Sequence, residues 1–249
     1  MREVLLREHE RLDDLCFHGR HIIQNTQEFC FSLDAVLLAH FLRIKERDRV
    51  LELGTGTGAI PLLIADAAAH IEAMELSPIM ADLAARNVWL NELEGKIAVC
   101  AGDYRAIADY YAAESFDVVL TNPPYRPVLR GKASDLAGVA RARHELTATL
   151  ADVCRAARYA LRYGGRFAMV HIPERLAEIF VALHEHQMEP KRLRLIQPKA
   201  EKAPNLLLVE AVVGGAAGGL RILPPLVVHE ADGSYTQEIR QIYGLEQVK

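Results

Sequence analysis

The sequence lacks the features that would place it in several large classes of protein. Its four cysteines, Cys16, Cys30, Cys100 and Cys154, are widely separated and have none of the paired spacings of zinc sites or redox motifs. We therefore predict reduced cysteines and no metal site. No apolar stretch is long enough to span a bilayer, and the charged amino terminus has no apolar segment suited to secretion. These absences favour a cytoplasmic protein without a membrane partner.

An excess of positive charge is also missing. The chain has 29 Lys and Arg residues against 33 Asp and Glu residues, for a formal net charge of −4. A protein that attracts nucleic acid over its whole surface is usually basic. Any contacts with phosphate groups would therefore come from local clusters of cations.

What the sequence does contain is the composition of an ordinary globular enzyme. Its 249 residues are 51% hydrophobic and 25% charged, which is enough apolar material for a substantial core. No internal repeat is found. Short apolar runs alternate with helical patterns along much of the chain, and this alternation is typical of an α/β fold.

A glycine-rich segment, Gly54-Thr55-Gly56-Thr57-Gly58, lies between a short apolar run and a helical pattern. This order predicts a strand, a tight loop and a helix. Glycines in such a loop let a ligand approach the backbone, and the amides at the start of the helix are available to bind it. Glu75, at the end of the next apolar run, occupies the expected place of an acid that binds ribose hydroxyls. The glycine spacing fits both a nicotinamide dinucleotide and another adenosyl cofactor.

The tetrapeptide Asn122-Pro123-Pro124-Tyr125 follows the apolar run 117–121, at the end of a predicted buried strand. Ligands bind at this edge of open α/β sheets. The prolines disfavour helix for the residues before them, so the Asn122 side-chain oxygen and the Pro123 carbonyl oxygen can both accept from one amino group. Tyr125 would stack on the flat ring that carries this group. A simple turn is the alternative interpretation.

Ala101-Gly102-Asp103 follows another predicted strand, residues 96–100. The glycine loop, Glu75, this segment and the tetrapeptide are thus four features at the ends of four successive predicted strands. The succession resembles the class I S-adenosylmethionine-dependent methyltransferases, and Asn-Pro-Pro-Tyr resembles the motif of those members that methylate amino groups. The resemblance implies an α/β, Rossmann-like fold with a mixed seven-stranded sheet and helices on both faces.

The same resemblance implies roles for individual residues. The tetrapeptide would be the catalytic site and hold the target nitrogen. S-adenosylmethionine would bind to the loops at several strand ends, through Ser32, Asp34, Glu52, Gly54, Thr55, Gly56, Gly58, Glu75, Asp103, Tyr104 and Asn122. Within this set the glycines would line the methionine portion of the cofactor. Glu75 would hold the ribose hydroxyls, and Asp103 would accept from the adenine amino group.

A narrower resemblance comes from the segments on either side of this core. Residues 14–24 read as two short strands around a glycine turn, and Ser32 follows as a predicted helix cap. Later come Arg143-His144-Glu145, residues 204–210 and residues 223–226. Together these are similar to the bacterial tRNA1(Val) adenine-N6 methyltransferases, over roughly residues 12 to 245. The resemblance implies that tRNA is the partner and that Ser32 and Asp34 lie in the segment that closes over the cofactor.

Contacts with RNA phosphates would come from two groups of cations. One follows the tetrapeptide directly and comprises Arg126, Arg130, Lys132, Arg141 and Arg143. The other lies near the last predicted strands and comprises Lys191, Arg192, Arg194, Lys199 and Lys202. A solvated charged face is the alternative interpretation of both groups. For His144, beside the first group, we favour a structural role over a catalytic one.

The expected organisation is a single domain with small additions. Residues 1–45 would form an amino-terminal hairpin and cap helix packed on the core, and residues 46–249 would form the methyltransferase domain, with a small extension after residue 220. The sequence leaves open whether the protein is a monomer or a homodimer.

The predicted function is N6-methylation of a tRNA adenosine, namely adenosine 37 beside the anticodon of tRNA1(Val). Methylation of a glutamine amide in a release factor or ribosomal protein would use the same tetrapeptide, although those enzymes usually place a helical domain before the glycine loop. A nicotinamide dehydrogenase would need a proton donor that no residue pair supplies. A non-catalytic RNA-binding scaffold is a further alternative, but it would not need Glu75, Asp103 and Asn122 together.

Overall fold

The computed structural model describes residues 2–28, 30–125 and 148–245. Within these ranges the strands, in chain order, are β1 Glu10–Asp14, β2 His21–Asn25, β3 Arg49–Leu53, β4 His70–Glu75, β5 Ile97–Ala101, β6 Phe116–Thr121, β7 Leu161–His171, β8 Met188–Lys199, β9 Leu206–Val213, β10 Arg221–Ile222 and β11 Leu226–His229. The α-helices are α1 Leu33–Phe41, α2 Ala59–Ile64, α3 Pro78–Leu90, α4 Leu150–Ala160, α5 Leu176–Glu185 and α6 Gln237–Ile242, and Tyr104–Asp109 and Pro173–Arg175 are 3-10 helices. None of these helices has the length and apolar character needed to cross a bilayer.

Nine of the described strands form one mixed sheet. Its order from edge to edge is β10, β8, β9, β7, β6, β3, β4, β5, and β11 also pairs with β8. The pairs β3–β4, β4–β5, β3–β6 and β6–β7 are parallel, whereas β9 is antiparallel to both β7 and β8. Consequently β8 runs in the same direction as β7. The carboxyl ends of β3 to β8 therefore lie along one edge of the sheet, which we call the carboxyl edge.

The α/β class with a mixed sheet is confirmed, but the sheet is larger than the seven strands predicted. Strands β3 to β9 are the seven, and the segment expected to form a small extension adds β10 and β11. Both pair in parallel with β8, which would otherwise leave its outer backbone groups unpaired. Leu226 of β11 is buried, so the extension also contributes to the core.

Two strand boundaries differ from those predicted. The sequence suggests that the fourth helix runs to Gly164-Gly165 and that a strand begins at Arg166, whereas β7 begins at Leu161, directly after α4. Exposed Tyr163 and the glycines conceal the start of this strand in the sequence. The sequence pattern likewise predicts a strand over residues 192–196, whereas β8 is longer and runs from Met188 to Lys199.

Helices cover both faces of the sheet because its central strands are apolar on both sides. In β6, Val118 and Leu120 belong to the cluster that contains α1, α2 and α6, whereas Val119 belongs to the cluster that contains α4 and α5. This alternation follows from the two-residue repeat of a strand. Burial on both faces explains why the run reads as continuously hydrophobic in the sequence.

The amino-terminal hairpin of β1 and β2 is joined to the core through Asn87 of α3. The Asn87 side chain is fully buried and donates to the carbonyl oxygens of Ile23 and Thr57 at 3.0 and 2.9 Å, while its oxygen accepts from the Ile23 amide at 2.6 Å. One amide group therefore connects the hairpin, α3 and the glycine loop. The domain boundary at residue 45 stays a prediction.

We expect Asn87→Ala to lower the free energy of unfolding by about 2–4 kcal/mol, because three buried backbone groups lose their partner. Urea unfolding followed by circular dichroism measures this change. Asn205→Ala, at an exposed loop position, is the matched control and should change stability by less than about 0.5 kcal/mol. Equal effects of the two substitutions would contradict the connecting role of Asn87.

Candidate active site

A cavity opens at the carboxyl edge, beside the end of β3. It encloses about 400 Å³, part of it open to solvent. Its lining includes Phe31 and Ala35 around the start of α1, Glu52 of β3, loop residues 54–57 and Asn122. Segments that are far apart in sequence therefore meet at the edge where the strand-end features predicted a ligand site.

The glycine loop leaves its backbone open to this cavity. Gly54 and Gly56 have φ of 76° and 57°, in the left-handed region, and a Cβ atom on either would meet no protein atom within 4 Å. The amides of Gly54 and Thr55 donate to the carbonyl oxygen of Met74 at 2.9 and 3.0 Å, which fixes the loop on β4. Space for a ligand beside the backbone is thus present at these glycines.

Gly58 differs from the other two glycines in its surroundings. A Cβ atom there would lie 3.3 Å from the Cβ of Ala84 in α3, and Gly58 is not part of the cavity lining. Its small size serves the close approach of α2 and α3. The sequence pattern alone does not separate this packing role from ligand contact.

Glu75 holds the glycine loop from the end of β4. Its carboxylate accepts from the Gly56 amide at 2.8 Å and from the Ser77 amide at 2.9 Å, one hydrogen bond to each oxygen. The residue is buried. Each oxygen keeps acceptor capacity for a further donor, so the same carboxylate can orient the loop and bind hydroxyl groups.

Glu52 is a second buried acid, and it lines the cavity. Only 1% of it is exposed, and its carboxyl accepts a hydrogen bond from the Thr55 hydroxyl. Burial raises the pKa of Glu52 to about 8, and the nearby charge of Glu75 adds to the rise, whereas the bond from Thr55 opposes it. The group is therefore predominantly neutral at pH 7 in this structure.

The tetrapeptide directly follows β6. The Thr121 hydroxyl donates to the Leu53 carbonyl oxygen at 2.8 Å and so holds the ends of β6 and β3 together. Asn122, the next residue, lines the cavity beside the glycine loop. Pro124 is exposed, while Asn122 and Pro123 are half-buried.

Tyr125 turns its hydroxyl towards the start of α1. The hydroxyl contacts an Asp34 carboxylate oxygen, and it also lies 3.0 Å from Asn122 Oδ1. Burial, together with the Asp34 charge, raises the pKa of Tyr125 well above its ordinary value, so the phenol stays protonated. The tetrapeptide is thereby joined to α1, a contact that no sequence pattern predicted.

Asp34 is buried, and its other carboxylate oxygen accepts from the Ser32 hydroxyl and, at 3.0 Å, from the Ala35 amide. Ser32 occupies the predicted cap position of α1, but its side chain makes no capping hydrogen bond. The predicted cap position is therefore confirmed, but the Ser32 side chain does not bind a helix amide. The Ala35 amide donates instead to the Asp34 carboxylate and, at 3.1 Å, to the Ser32 carbonyl oxygen.

His171, at the end of β7, was missed by sequence reasoning. Its ring centroid lies 5.3 Å from that of Tyr125, and the two planes are inclined by 53°. Burial lowers the pKa of His171 to about 4, and its Nδ1 accepts from the Ile172 amide at 2.8 Å. The ring is therefore neutral and supports Tyr125. The sequence signal that could have identified His171 is its position at the end of a predicted strand.

Asp103 and Tyr104 follow β5 and lie outside the cavity lining. The Asp103 carboxylate accepts from Arg105 Nε at 3.0 and 2.9 Å and from the Arg105 amide at 2.9 Å. These bonds hold the pKa of Asp103 below its usual range. Burial raises the pKa of Tyr104 to about 12. The predicted acceptor for the cofactor's adenine thus has a cationic partner of its own.

Of the predicted RNA-binding cations, Lys199 and Lys202 are at the carboxyl edge, at the end of β8 and in the loop after it. Lys199 Nζ donates to the Ala231 carbonyl oxygen at 2.9 Å, and Lys202 is exposed. Arg126, Arg130, Lys132, Arg141, Arg143 and His144 lie outside the described residues. In the part of the chain that the structure describes, no group of three His, Cys, Asp or Glu residues is arranged to hold a metal ion.

Glu52 makes stability depend on pH. An unfolded chain releases this proton near pH 4.5, whereas the folded protein holds it up to about pH 8, so the free energy of unfolding falls as the pH rises through this window. Glu52→Gln has no proton to release. We expect the stability of the variant relative to the wild type to rise between pH 5 and pH 8, by at most about 1.4 kcal/mol per pH unit.

Urea unfolding at pH 5 and pH 8 measures this difference. Glu201→Gln, which changes an exposed glutamate, is the control and should follow the wild type at both values. If Glu52→Gln changed the free energy of unfolding by the same amount at pH 5 and at pH 8, a buried neutral carboxyl at Glu52 would be ruled out.

Known proteins with similar sequences are methyltransferases. The tRNA1(Val) (adenine(37)-N6)-methyltransferase of Aliivibrio fischeri is 26% identical over 182 residues, which cover 72% of this chain and 75% of that protein. The protein of the same name from Porphyromonas gingivalis strain W83 is 28% identical over 194 residues, 76% of this chain and 75% of that protein. The resemblance stated from the sequence motifs is confirmed.

Solved structures give the same result for the fold. A predicted O-methyltransferase from Agrobacterium tumefaciens has a TM-score of 0.68 and 26% identity, over 85% of this chain and 96% of that one. TYW2 from Pyrococcus horikoshii, solved in complex with MeSAdo, has a TM-score of 0.59 and 17% identity, over 84% and 73% of the two chains, and shows the fold alone. The predicted Rossmann-like methyltransferase fold is confirmed.

The family model of the methyltransferase small domain matches residues 32–187. This range is more than half of the chain, and it contains the glycine loop, Glu75, Asp103 and the tetrapeptide. The protein therefore belongs to the methyltransferase small domain family.

Proposed function

We propose that this methyltransferase transfers a methyl group from S-adenosylmethionine to the N6 amino group of a tRNA adenosine, with adenosine 37 of tRNA1(Val) as the expected target. The observation that carries the proposal is the position of Asn122, at the end of β6 and in the lining of the cavity beside the glycine loop. The names of the relatives from Aliivibrio fischeri and Porphyromonas gingivalis support RNA as the substrate.

The cavity residues fit S-adenosylmethionine. Open space beside Gly54 and Gly56 admits a ligand against the backbone, and Glu75 retains acceptor capacity for ribose hydroxyls after binding two amides. The Glu75 carboxylate, buried beside the loop, favours a ligand with positive charge. When bound, the cofactor supplies an electrophilic methyl group on a sulfonium sulfur.

The chain itself contributes mainly positioning. The Asn122 amide oxygen and the Pro123 carbonyl oxygen would accept from the two hydrogens of the target amino group, which disfavours delocalisation of the nitrogen lone pair into the base. The base would stack on Tyr125, with His171 supporting the phenol ring from within the protein. By orienting the nitrogen, these groups would lower the barrier through positioning, without a strong base. The proton leaves to solvent after transfer.

Labelled S-adenosylmethionine, offered in parallel with total tRNA from a strain that lacks the modification, a release factor and duplex DNA, tests the proposal. We expect label in tRNA, recovered as N6-methyladenosine after digestion to nucleosides. Label in the protein fraction alone would replace the proposal with methylation of a glutamine amide.

We expect Asn122→Ala to lower kcat about 100-fold or more and to leave cofactor affinity within about threefold, because Asn122 would act on the target nitrogen. Single-turnover methylation of tRNA and calorimetric titration with S-adenosylhomocysteine measure the two quantities. A parallel loss of both, or a loss of neither, would show that Asn122 does not have the assigned role.

Lys199 and Lys202 are proposed to contact RNA phosphates. We expect Lys199→Ala with Lys202→Ala to weaken tRNA binding and to reduce the slope of log affinity against log salt by about 1–2, one unit for each lost phosphate contact. Filter binding between 50 and 200 mM salt measures the slope.

Lys191→Ala is the matched control, because Lys191 belongs to the same predicted group but lies near the other end of β8, away from the carboxyl edge, and donates to the Gly218 carbonyl oxygen at 2.6 Å. It should leave the slope unchanged. The same change in slope per lysine removed in both variants would mean that the two lysines at the carboxyl edge act only through the net charge of the protein.

A further inference from the structure

The Tyr125 hydroxyl lies between two side chains that both present oxygen atoms. Asp34 contacts it from the start of α1, and Asn122 Oδ1 lies 3.0 Å from it. A phenolic hydroxyl has one proton and therefore donates one full hydrogen bond. Burial and the Asp34 charge raise the pKa of Tyr125, so this proton is not lost to solvent. Whether Asp34 or Asn122 accepts the phenol proton determines what the Asn122 amide can bind.

Asp34 is the stronger acceptor. It is a carboxylate with only 7% of its surface exposed, and a hydrogen bond to an ionised acceptor is about twice as strong as one to a neutral amide. When the proton points to Asp34, a lone pair of the phenol faces Asn122. Two oxygen atoms at 3.0 Å without a proton between them repel each other.

A half-turn of the Asn122 amide removes this repulsion. It exchanges the positions of Oδ1 and Nδ2 with almost no change in shape. Nδ2 then donates to the Tyr125 hydroxyl at the same 3.0 Å separation. The amide oxygen then occupies the former position of Nδ2. There it is free to accept from a ligand in the cavity, which Asn122 lines.

We propose that Asp34 is a positioning residue that sets the orientation of the Asn122 amide through the Tyr125 hydroxyl, so that the amide oxygen is available to the target amino group. The proposal deepens the proposed function and rests on it for the identity of that amino group. The order of donors is Asn122 to Tyr125 and Tyr125 to Asp34. If Tyr125 donated to Asn122 instead, the oxygen needed by the substrate would be occupied.

Asp34→Asn should reverse this order. The oxygen of Asp34 that accepts from Ser32 and from the Ala35 amide must remain an oxygen in the variant, since both partners donate to it. The new NH2 group of Asp34→Asn then replaces the oxygen that contacts Tyr125. It donates to the phenol oxygen, and the phenol proton turns to Asn122. An isosteric change would thus block the amide oxygen without opening a cavity.

The test is a double-mutant cycle of Asp34→Asn and Tyr125→Phe, with kcat for tRNA methylation as the measured quantity. We expect Asp34→Asn to lower kcat about 30-fold and Tyr125→Phe about threefold. The double variant should match Tyr125→Phe, because without the hydroxyl nothing competes for the amide oxygen. Adding Tyr125→Phe to Asp34→Asn should therefore raise kcat about tenfold. KM for the cofactor should stay within about threefold in all three variants, because neither Asp34 nor Tyr125 is in the cavity lining.

Tyr111→Phe is the matched control, because the Tyr111 hydroxyl also donates to a carboxylate, that of Glu72, at 3.3 Å and outside the cavity lining. Tyr111→Phe alone should leave kcat unchanged. Combined with Asp34→Asn, it should cause no further loss of kcat. Additive losses for Asp34→Asn and Tyr125→Phe would overturn the proposal, since they would mean that Asp34 acts on structure alone.

A readout without turnover separates this inference from the proposed function. Neutron diffraction from deuterated crystals of the wild-type protein should show the Tyr125 deuteron directed at Asp34, and two deuterons on the Asn122 atom that faces the phenol. A Tyr125 deuteron directed at Asn122 would overturn the inference. A wild-type protein that methylates no RNA would defeat the proposed function, while the deuteron positions would still decide the order of the donors.

Discussion

The register of three parallel strands is the constraint on which the site depends. Leu53 at the end of β3 pairs with Met74 of β4 on one side and with Thr121 of β6 on the other. Leu53, Met74 and Thr121 are followed in the chain by Gly54, Glu75 and Asn122. These three residues therefore meet at the same level of the carboxyl edge. A shift of one residue in either pairing would turn Glu75 or Asn122 to the opposite face. The Thr121 hydroxyl, bound to the Leu53 carbonyl oxygen, fixes one of these registers directly.

Buried polar groups complete the site, and each is satisfied by more than one neighbour. Glu75 binds two amides, Asp34 binds two amino-terminal donors of α1 and the Tyr125 hydroxyl, and Asn87 joins the hairpin to the glycine loop. Such groups are costly to bury unless they are hydrogen-bonded. Their networks therefore specify one arrangement of loops around the cavity.

Charge is distributed unevenly between the cavity and its surroundings. The carboxylates of Glu75 and Asp34 lie beside the glycine loop and at the start of α1, while Lys199 and Lys202 lie further along the same edge of the sheet. An acidic interior favours a cationic cofactor, and cations outside it favour phosphate groups. The formal net charge of −4 is consistent with this division, because a local patch rather than the net charge determines where a polyanion binds.

The sequence by itself determined the α/β class, the seven principal strands and the strand-end positions of Gly54, Glu75, Asp103 and Asn122. These follow from local signals, since strand periodicity and the conformational limits of glycine and proline act within a few residues. It did not determine that Gly58 packs on Ala84, that Arg105 engages Asp103, or that β10 and β11 enlarge the sheet. Nor did it show that Asp34 meets Tyr125 or that His171 lies against the same ring. Only the tertiary structure decided these contacts, because they depend on which side chains from distant segments share one small volume, and no local pattern encodes that proximity.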